Sequence, residues 1–150
     1  MNGNTRPNSV DILLVEDNPG DAHLARQGLR QCKILNTLHV VDDGVKAMDF
    51  LHRRGEYVTA PRPDLILLDL NMPRKDGREV LHEIKGDASL QTIPVVILTT
   101  SRAQEDINKS YSFHANCYVT KPLELPQFLD VVKSIANFWF STVRLPSNSG

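Results

Sequence analysis

An unbroken apolar run at residues 65–68, followed directly by Asp69, constrains the fold of this chain more than any other feature. A strand that is apolar at every position is typical of a parallel sheet covered by helices, because both sides of the strand are then buried. In open sheets of this kind, ligands bind at the carboxyl ends of the strands. Asp69 is therefore a candidate functional residue, although Asp is also common as a turn or capping residue after a strand.

The same pattern recurs along the chain and predicts the order of the sheet. Residues 12–15 and 93–98 are two more apolar runs, whereas 37–41 and 116–120 are short and mixed, as edge strands are. Apolar residues at spacings of three and four predict helices at about 19–32, 45–54, 80–84, 103–113 and from about 125 onward. We predict an α/β fold with a doubly wound, five-stranded parallel sheet in the flavodoxin-like order 2-1-3-4-5 and helices on both faces.

Length, charge and cysteine content favour a single cytoplasmic domain. The chain has 150 residues, of which 41% are hydrophobic, and a net charge of −1, so nothing in it favours nucleic acid or a membrane as a partner. Its two cysteines suffice for neither a disulfide framework nor a zinc site. We predict one domain at residues 10–142, polar tails at 1–9 and 143–150, and no output domain.

Polar residues of complementary kinds follow four of the predicted strands. Glu16 and Asp17 end the first strand, Asp69 the third, Thr99 the fourth and Lys121 the fifth. Because the predicted order brings these ends to one crevice, three carboxylates meet there, and a divalent cation would relieve their repulsion. Mg²⁺ suits such a site, since it takes few carboxylates, keeps waters and accepts phosphate oxygens. The hydroxyl and ammonium groups can hold a phosphoryl group, whereas the lack of a glycine-rich phosphate loop argues against a nucleotide.

These motifs together resemble the receiver domain of two-component response regulators. The resemblance covers about residues 11–138, and its motifs are Val15-Glu16-Asp17-Asn18, the segment from Leu67 to Pro73, Asp76-Gly77, Leu98-Thr99 and Val119-Thr120-Lys121-Pro122. Each motif alone is weak, but the set is highly specific. Longer phrases resemble the single-domain response regulators of cyanobacterial and bacterial phytochromes, at residues 55–57, 61–65, 75–81, 115–118 and 138–140.

The resemblance implies a role for each residue of the crevice. Asp69 is the nucleophile that takes a phosphoryl group from a phosphohistidine of a sensor histidine kinase, here a phytochrome kinase. Asp17 and Asp69 bind Mg²⁺ directly, with the backbone carbonyl of Asn71 as a third ligand and Glu16 acting mostly through water; Mn²⁺ can substitute. Lys121 pairs with the phosphoryl oxygens. Phosphoryl transfer depends mainly on the position of the nucleophile and on compensation of the phosphoryl charge, and less on covalent chemistry by the protein.

The resemblance also implies a conformational switch and a tuned lifetime of the acyl phosphate. The hydroxyl of Thr99 would turn toward the phosphorylated Asp69 and vacate space into which Tyr118 turns, changing the surface of the fourth helix, fifth strand and fifth helix. The alternative for Tyr118 is an edge-strand aromatic that never moves. Asn71 and Ser101 hold the positions that tune dephosphorylation, and since neither is acidic we expect slow self-dephosphorylation.

The last predicted helix carries more apolar residues than its core-facing stripe needs. Exposed apolar surface of this kind is typical of an interface. We expect a homodimer through the fourth helix, fifth strand and fifth helix, with the surface residues Tyr118, Val131, Phe138 and Phe140. Packing of the helix against its own tail, near residues 143–145, is the alternative.

The predicted function is that of a signalling phosphoacceptor rather than an enzyme. It would act in trans, on a downstream protein that the sequence does not name, or serve as a phosphoryl relay or a phosphate sink. One alternative is an interaction-only receiver with a vestigial site, which would not need the complete charge cluster. Another is a Mg²⁺-dependent aspartyl phosphohydrolase. That class needs a second Asp two residues after the nucleophile, where this chain has Asn71.

Overall fold

A five-stranded parallel sheet organises the chain, as predicted. The computed structural model describes residues 10–31, 36–70, 72, 74–99 and 117–120, and for 99 and 117–120 it describes the backbone alone. The elements are β1 Val10–Val15, α1 Pro19–Arg30, β2 Asn36–Val41, α2 Gly44–His52, a 3-10 helix at Gly55–Tyr57, β3 Leu65–Leu68, α3 Gly77–Gly86, β4 Val95–Thr99 and β5 Cys117–Thr120. The strand order is 2-1-3-4-5, which confirms the prediction. The helices predicted at 103–113 and from 125 onward lie outside the described residues.

Two apolar layers, one on each face of the sheet, account for the buried strands. On one face, Ala25 and Leu29 of α1 pack against Ile12 and Leu14 of β1 and Leu67 of β3. The other face is covered by α2 and α3, which contribute Ala47, Met48, Phe50, Leu51, Val80, Leu81 and Ile84. Every residue of β3 is buried, because helices cover both of its sides. The sheet is therefore doubly wound, as the apolar runs indicate.

The parallel register aligns the carboxyl ends of the central strands. Val15 at the end of β1 pairs with Leu68 at the end of β3 and with Val41 at the end of β2. Leu68 pairs in turn with Ile97 of β4. The residues that follow β1, β2 and β3 therefore emerge at one edge of the sheet.

The boundaries of several elements differ from the predicted ones. Helix α3 runs from Gly77 to Gly86 and is longer than the predicted 80–84, because the capping box of Asp76 starts it before its first apolar residue. Helix α1 ends at Arg30, and Gln31 caps it, so it stops two residues before the predicted end. Helix α2 ends because Arg53 adopts the left-handed conformation, at φ 56°, although glycine usually takes this role. Gly55 then begins a short 3-10 helix within a stretch expected to be a loop. Strand β4 begins at Val95, because the preceding proline has no N–H to give to the ladder.

Candidate functional site

Three carboxylates meet at the carboxyl edge of the sheet. Glu16, Asp17 and Asp69 each place one oxygen so that all three atoms lie within 4.8 Å of one another. Glu16 is only 4% exposed and Asp69 only 6% exposed, whereas Asp17 is open to solvent. Three such oxygens, with room for water on the open side, fit a hard divalent cation, because Mg²⁺ and Mn²⁺ prefer oxygen ligands and Mg²⁺ keeps several waters. The predicted carboxylate cluster is thus assembled.

Backbone hydrogen bonds extend the sheet by one residue and hold two of these carboxylates in place. The N–H of Asp69 donates to the carbonyl of Val15 at 3.0 Å, and the N–H of Glu16 donates to the carbonyl of Val41 at 2.9 Å. Asp69 also lies between two completely buried residues, Leu68 and Leu70. The acidic side chains therefore stand on backbone that the core has already fixed, which is what a precise ligand geometry requires.

The turn after β1 is short because α1 begins almost at once. The side chain of Asn18 accepts a hydrogen bond from the N–H of Asp21 at 3.0 Å and caps α1, and Pro19 occupies the first helical position. The N–H of Asn18 donates to the carboxylate of Glu16 at 3.2 Å. This bond orients Glu16 and places the partial positive charge of the N–H beside the acidic cluster. That charge lowers the electrostatic repulsion among the three carboxylates.

The start of α3 packs against the backbone that carries Asp69. The N–H of Gly77 donates to the carbonyl of Leu70 at 3.0 Å. A methyl group added at Gly77 would lie 2.2 Å from the carbonyl oxygen of Asp69 and 2.7 Å from the Cα of Leu70. Asp76 caps the helix, in a capping box with Glu79. Residue 77 must lack a side chain because the backbone after Asp69 occupies that space.

A fourth carboxylate, which the sequence did not single out as functional, lies in the loop after β2. Asp43 is 4% exposed, and its side chain accepts the N–H of Lys46 at 2.7 Å as the N-cap of α2. Its other oxygen pairs with the guanidinium of Arg74 at 3.3 Å. In the sequence, Asp43 is notable only because it precedes a glycine at the start of a predicted helix. That position predicts a helix cap, but it does not predict an ion pair.

The remaining predicted site residues follow the neighbouring strands. Thr99 ends β4, and its backbone pairs with that of Thr120 at the end of β5, so Lys121 follows the strand next to it. The backbone of Tyr118 lies in β5, paired with Ile97. The predicted site and surface residues outside the described part of the chain are Asn71, Ser101, Lys121, Val131, Phe138 and Phe140.

Comparison with known proteins gives one consistent family. The family model of the response regulator receiver domain matches residues 12–133. Over 147 residues the chain is 48% identical to "Response regulator Rcp1" of Synechocystis sp., covering 98% of this chain and 99% of that protein.

Two solved structures are similar in fold and in sequence. One is the phosphorylated cyanobacterial phytochrome response regulator RcpA, with 51% identity, a TM-score of 0.87, and coverage of 92% of this chain and 99% of that one. The other is the Mn²⁺-bound form of Rcp1, with 50% identity, a TM-score of 0.86, and coverage of 91% and 99%.

In the described part of this chain, no helix is both long enough and apolar enough to cross a membrane.

Proposed function

This chain belongs to the response regulator receiver domain family, and we propose that it is a phosphoryl-accepting signalling switch in which Asp69 is the acceptor. The observation that carries the proposal is the cluster of Glu16, Asp17 and Asp69 at the carboxyl edge of the sheet. Asp69 is the member of the cluster that ends the central strand and is fixed on both sides by buried residues. A nucleophile needs such a fixed position in an in-line displacement.

In the proposed reaction, a carboxylate oxygen of Asp69 attacks the phosphorus of a phosphohistidine on a sensor kinase. A P–O bond forms, the P–N bond breaks, and the released imidazole takes up a proton. The product is an acyl phosphate on Asp69, with Lys121 and the Thr99 hydroxyl contacting its oxygens. A divalent cation bound at the cluster supplies positive charge that offsets the charge of the transferring oxygens.

The cation in this proposal is Mg²⁺, for which Mn²⁺ can substitute. Its protein ligands are carboxylate oxygens of Asp17 and Asp69 and the backbone carbonyl of Asn71, with Glu16 acting through water. The donor set consists of oxygen atoms alone, which favours a hard cation over a softer metal. The existence of a Mn²⁺-bound form of the similar protein Rcp1 supports binding of a divalent cation by this chain.

The proposed phosphoryl donor is a histidine kinase of the phytochrome class, since the similar protein RcpA is a cyanobacterial phytochrome response regulator. The receiver domain would occupy residues 10–142, and the signal would pass in trans to another protein. Thr99 and Tyr118 would change the surface of the fourth helix, fifth strand and fifth helix. Homodimer formation through Tyr118, Val131, Phe138 and Phe140 is part of the same proposal.

Incubation with Mg²⁺ and acetyl phosphate, followed by intact mass spectrometry, tests the acceptor chemistry. We expect the mass of one phosphoryl group on the wild-type chain and none on Asp69→Asn or after chelation of the metal. Asp49→Asn is the matched control, because it removes an aspartate carboxylate from α2, which the cluster does not include, and it should still be phosphorylated. An adduct that persists in Asp69→Asn would overturn the assignment. No adduct from either acetyl phosphate or a phosphorylated kinase would indicate an interaction-only receiver.

A further inference from the structure

An ion pair links two loops at the carboxyl edge of the sheet. Asp43, at the N-terminus of α2, pairs with Arg74, in the loop that joins Asp69 to α3. The two ends of the pair lie in different surroundings: the side chain of Asp43 is 6% exposed and that of Arg74 is 60% exposed. A buried carboxylate needs a charged or hydrogen-bonding partner, so the pair restrains the loop more firmly than two solvent-exposed charges would.

Backbone packing beside the ion pair joins the same two loops. A methyl group added at Gly44 would lie 2.0 Å from the carbonyl oxygen of Lys75, so the first turn of α2 touches the backbone next to Arg74. Arg74 itself has φ 66°, a conformation that a residue with a side chain seldom adopts without support from its surroundings. Arg74 is thus held in a conformation that it would not favour alone, and its ion pair with Asp43 is one of the contacts that support it.

Both loops are also connected to the carboxylate cluster through the backbone. The loop with Arg74 begins at Asp69 and is fixed at its far end by Gly77, which contacts the backbone of Asp69. The loop with Asp43 follows Val41, whose carbonyl accepts the N–H of Glu16. We therefore expect a displacement of either loop to be passed through these backbone contacts to Asp69 or Glu16.

We propose that Asp43 and Arg74 are positioning residues of the cation site, which hold the loop after Asp69 in the geometry that binds the metal. The inference rests on the proposed function, because it concerns the affinity of the same cluster for a divalent cation. Neither residue needs to touch the ion. Residues that orient metal ligands in this indirect way typically change metal affinity by about 10–100-fold.

The sign of the effect separates positioning from simple electrostatics. Arg74 carries a positive charge on a loop that begins at one of three carboxylates, so by Coulomb's law its removal strengthens the attraction of the cluster for a cation. Loss of a positioning contact has the opposite effect, because the ligands are then no longer held together. A weaker affinity after neutralisation of Arg74 thus points to positioning.

Isothermal titration of the full chain with Mn²⁺ and with Mg²⁺ tests the proposal, with Arg74→Gln as the main variant. We expect the affinity of Arg74→Gln for both cations to fall by about tenfold. Arg74→Lys keeps the positive charge and should retain most of the wild-type affinity. Arg54→Gln is the matched control: Arg54 is 59% exposed and pairs with Asp49 at the other end of α2. Its affinity should stay at the wild-type value.

Two further variants exclude a general loss of stability. Val10→Ala removes buried apolar contacts at the start of β1, at the end of the sheet opposite the carboxylate cluster. It should lower the melting temperature without lowering the affinity for the metal ion. Asp43→Asn keeps a capping side chain but loses the charge, and in that background Arg74→Gln should have little further effect, because the two residues act as one contact.

The possible results lead to different conclusions. Unchanged or tighter metal binding by Arg74→Gln, or an equal loss in Val10→Ala, would overturn the positioning role. If the wild-type chain itself binds no divalent cation, the proposed function fails before the ion pair is tested. Wild-type binding with a selective loss in Arg74→Gln supports both.

Discussion

Gly77→Ala is the sharpest perturbation of the site that does not touch a carboxylate. The new methyl carbon would lie 2.2 Å from the carbonyl oxygen of Asp69, about 1 Å closer than ordinary van der Waals contact allows. Its next neighbours are the Cα of Leu70 at 2.7 Å and the carbonyl carbon of Asp69 at 3.0 Å, so all three obstacles are backbone atoms and no side chain can turn away. Either the start of α3 or the backbone of Asp69 must move.

The magnitude follows from two opposing effects. Alanine is favoured over glycine in a helix by about 1 kcal/mol at most. Overpacking against fixed atoms typically costs about 1–3 kcal/mol, and the obstacle here is rigid, so the overpacking cost prevails. A rigid obstacle places the cost in the upper part of that range, about 2–3 kcal/mol, so after the gain from alanine we expect the free energy of unfolding to fall by about 1–2 kcal/mol. A displacement of about 1 Å at a nucleophile can reduce a rate by about 100-fold, so phosphorylation of Asp69 should slow severely.

The assay is the initial rate of phosphorylation by acetyl phosphate, measured together with urea denaturation. Gly86→Ala is the matched control, because Gly86 ends the same helix and an added methyl group there meets no atom within 4 Å. That control should keep the wild-type rate and the wild-type stability or slightly more. A Gly77→Ala variant with wild-type stability and rate would show that the close approach at Asp69 does not constrain the site.

Two other substitutions test the charges and caps around the sheet. Asp76→Ala should lower the free energy of unfolding by about 1 kcal/mol in urea titrations, because it removes the N-cap of α3; an unchanged midpoint would exclude that role. Burial raises the pKa of Asp64 above its usual 3.8, so ionisation of this carboxyl costs more free energy in the folded chain than in the unfolded chain. Asp64→Asn keeps an acceptor for the N–H of Asp11. Its advantage in stability over the wild type should be absent below pH 3.8, grow as the pH rises from 3.8 to the raised pKa, and stay constant above it. The same advantage at every pH would contradict this explanation.

The sequence by itself determined the architecture and most of the carboxylate cluster. An apolar run such as Leu65–Leu68 has few stable environments other than the centre of a covered parallel sheet. Once the strand order follows, parallel register brings the residues after β1 and β3 together, so Glu16, Asp17 and Asp69 must meet. These conclusions depend on local pattern and on a topology with few alternatives, and for that reason they were predictable.

Contacts between residues distant in the chain were decided only by the tertiary structure. The position of Asp43 in the sequence predicts a helix cap. No neighbouring residue in the sequence indicates that Asp43 is buried and paired with Arg74, 31 residues later. Arg53 ends α2 in a left-handed conformation that sequence rules assign to glycine. Gly77 follows an ordinary capping residue, and only the folded backbone shows how closely it approaches Asp69. Periodicity records which side of an element is buried, whereas the exact approach of two loops depends on how whole elements pack, which no local pattern encodes.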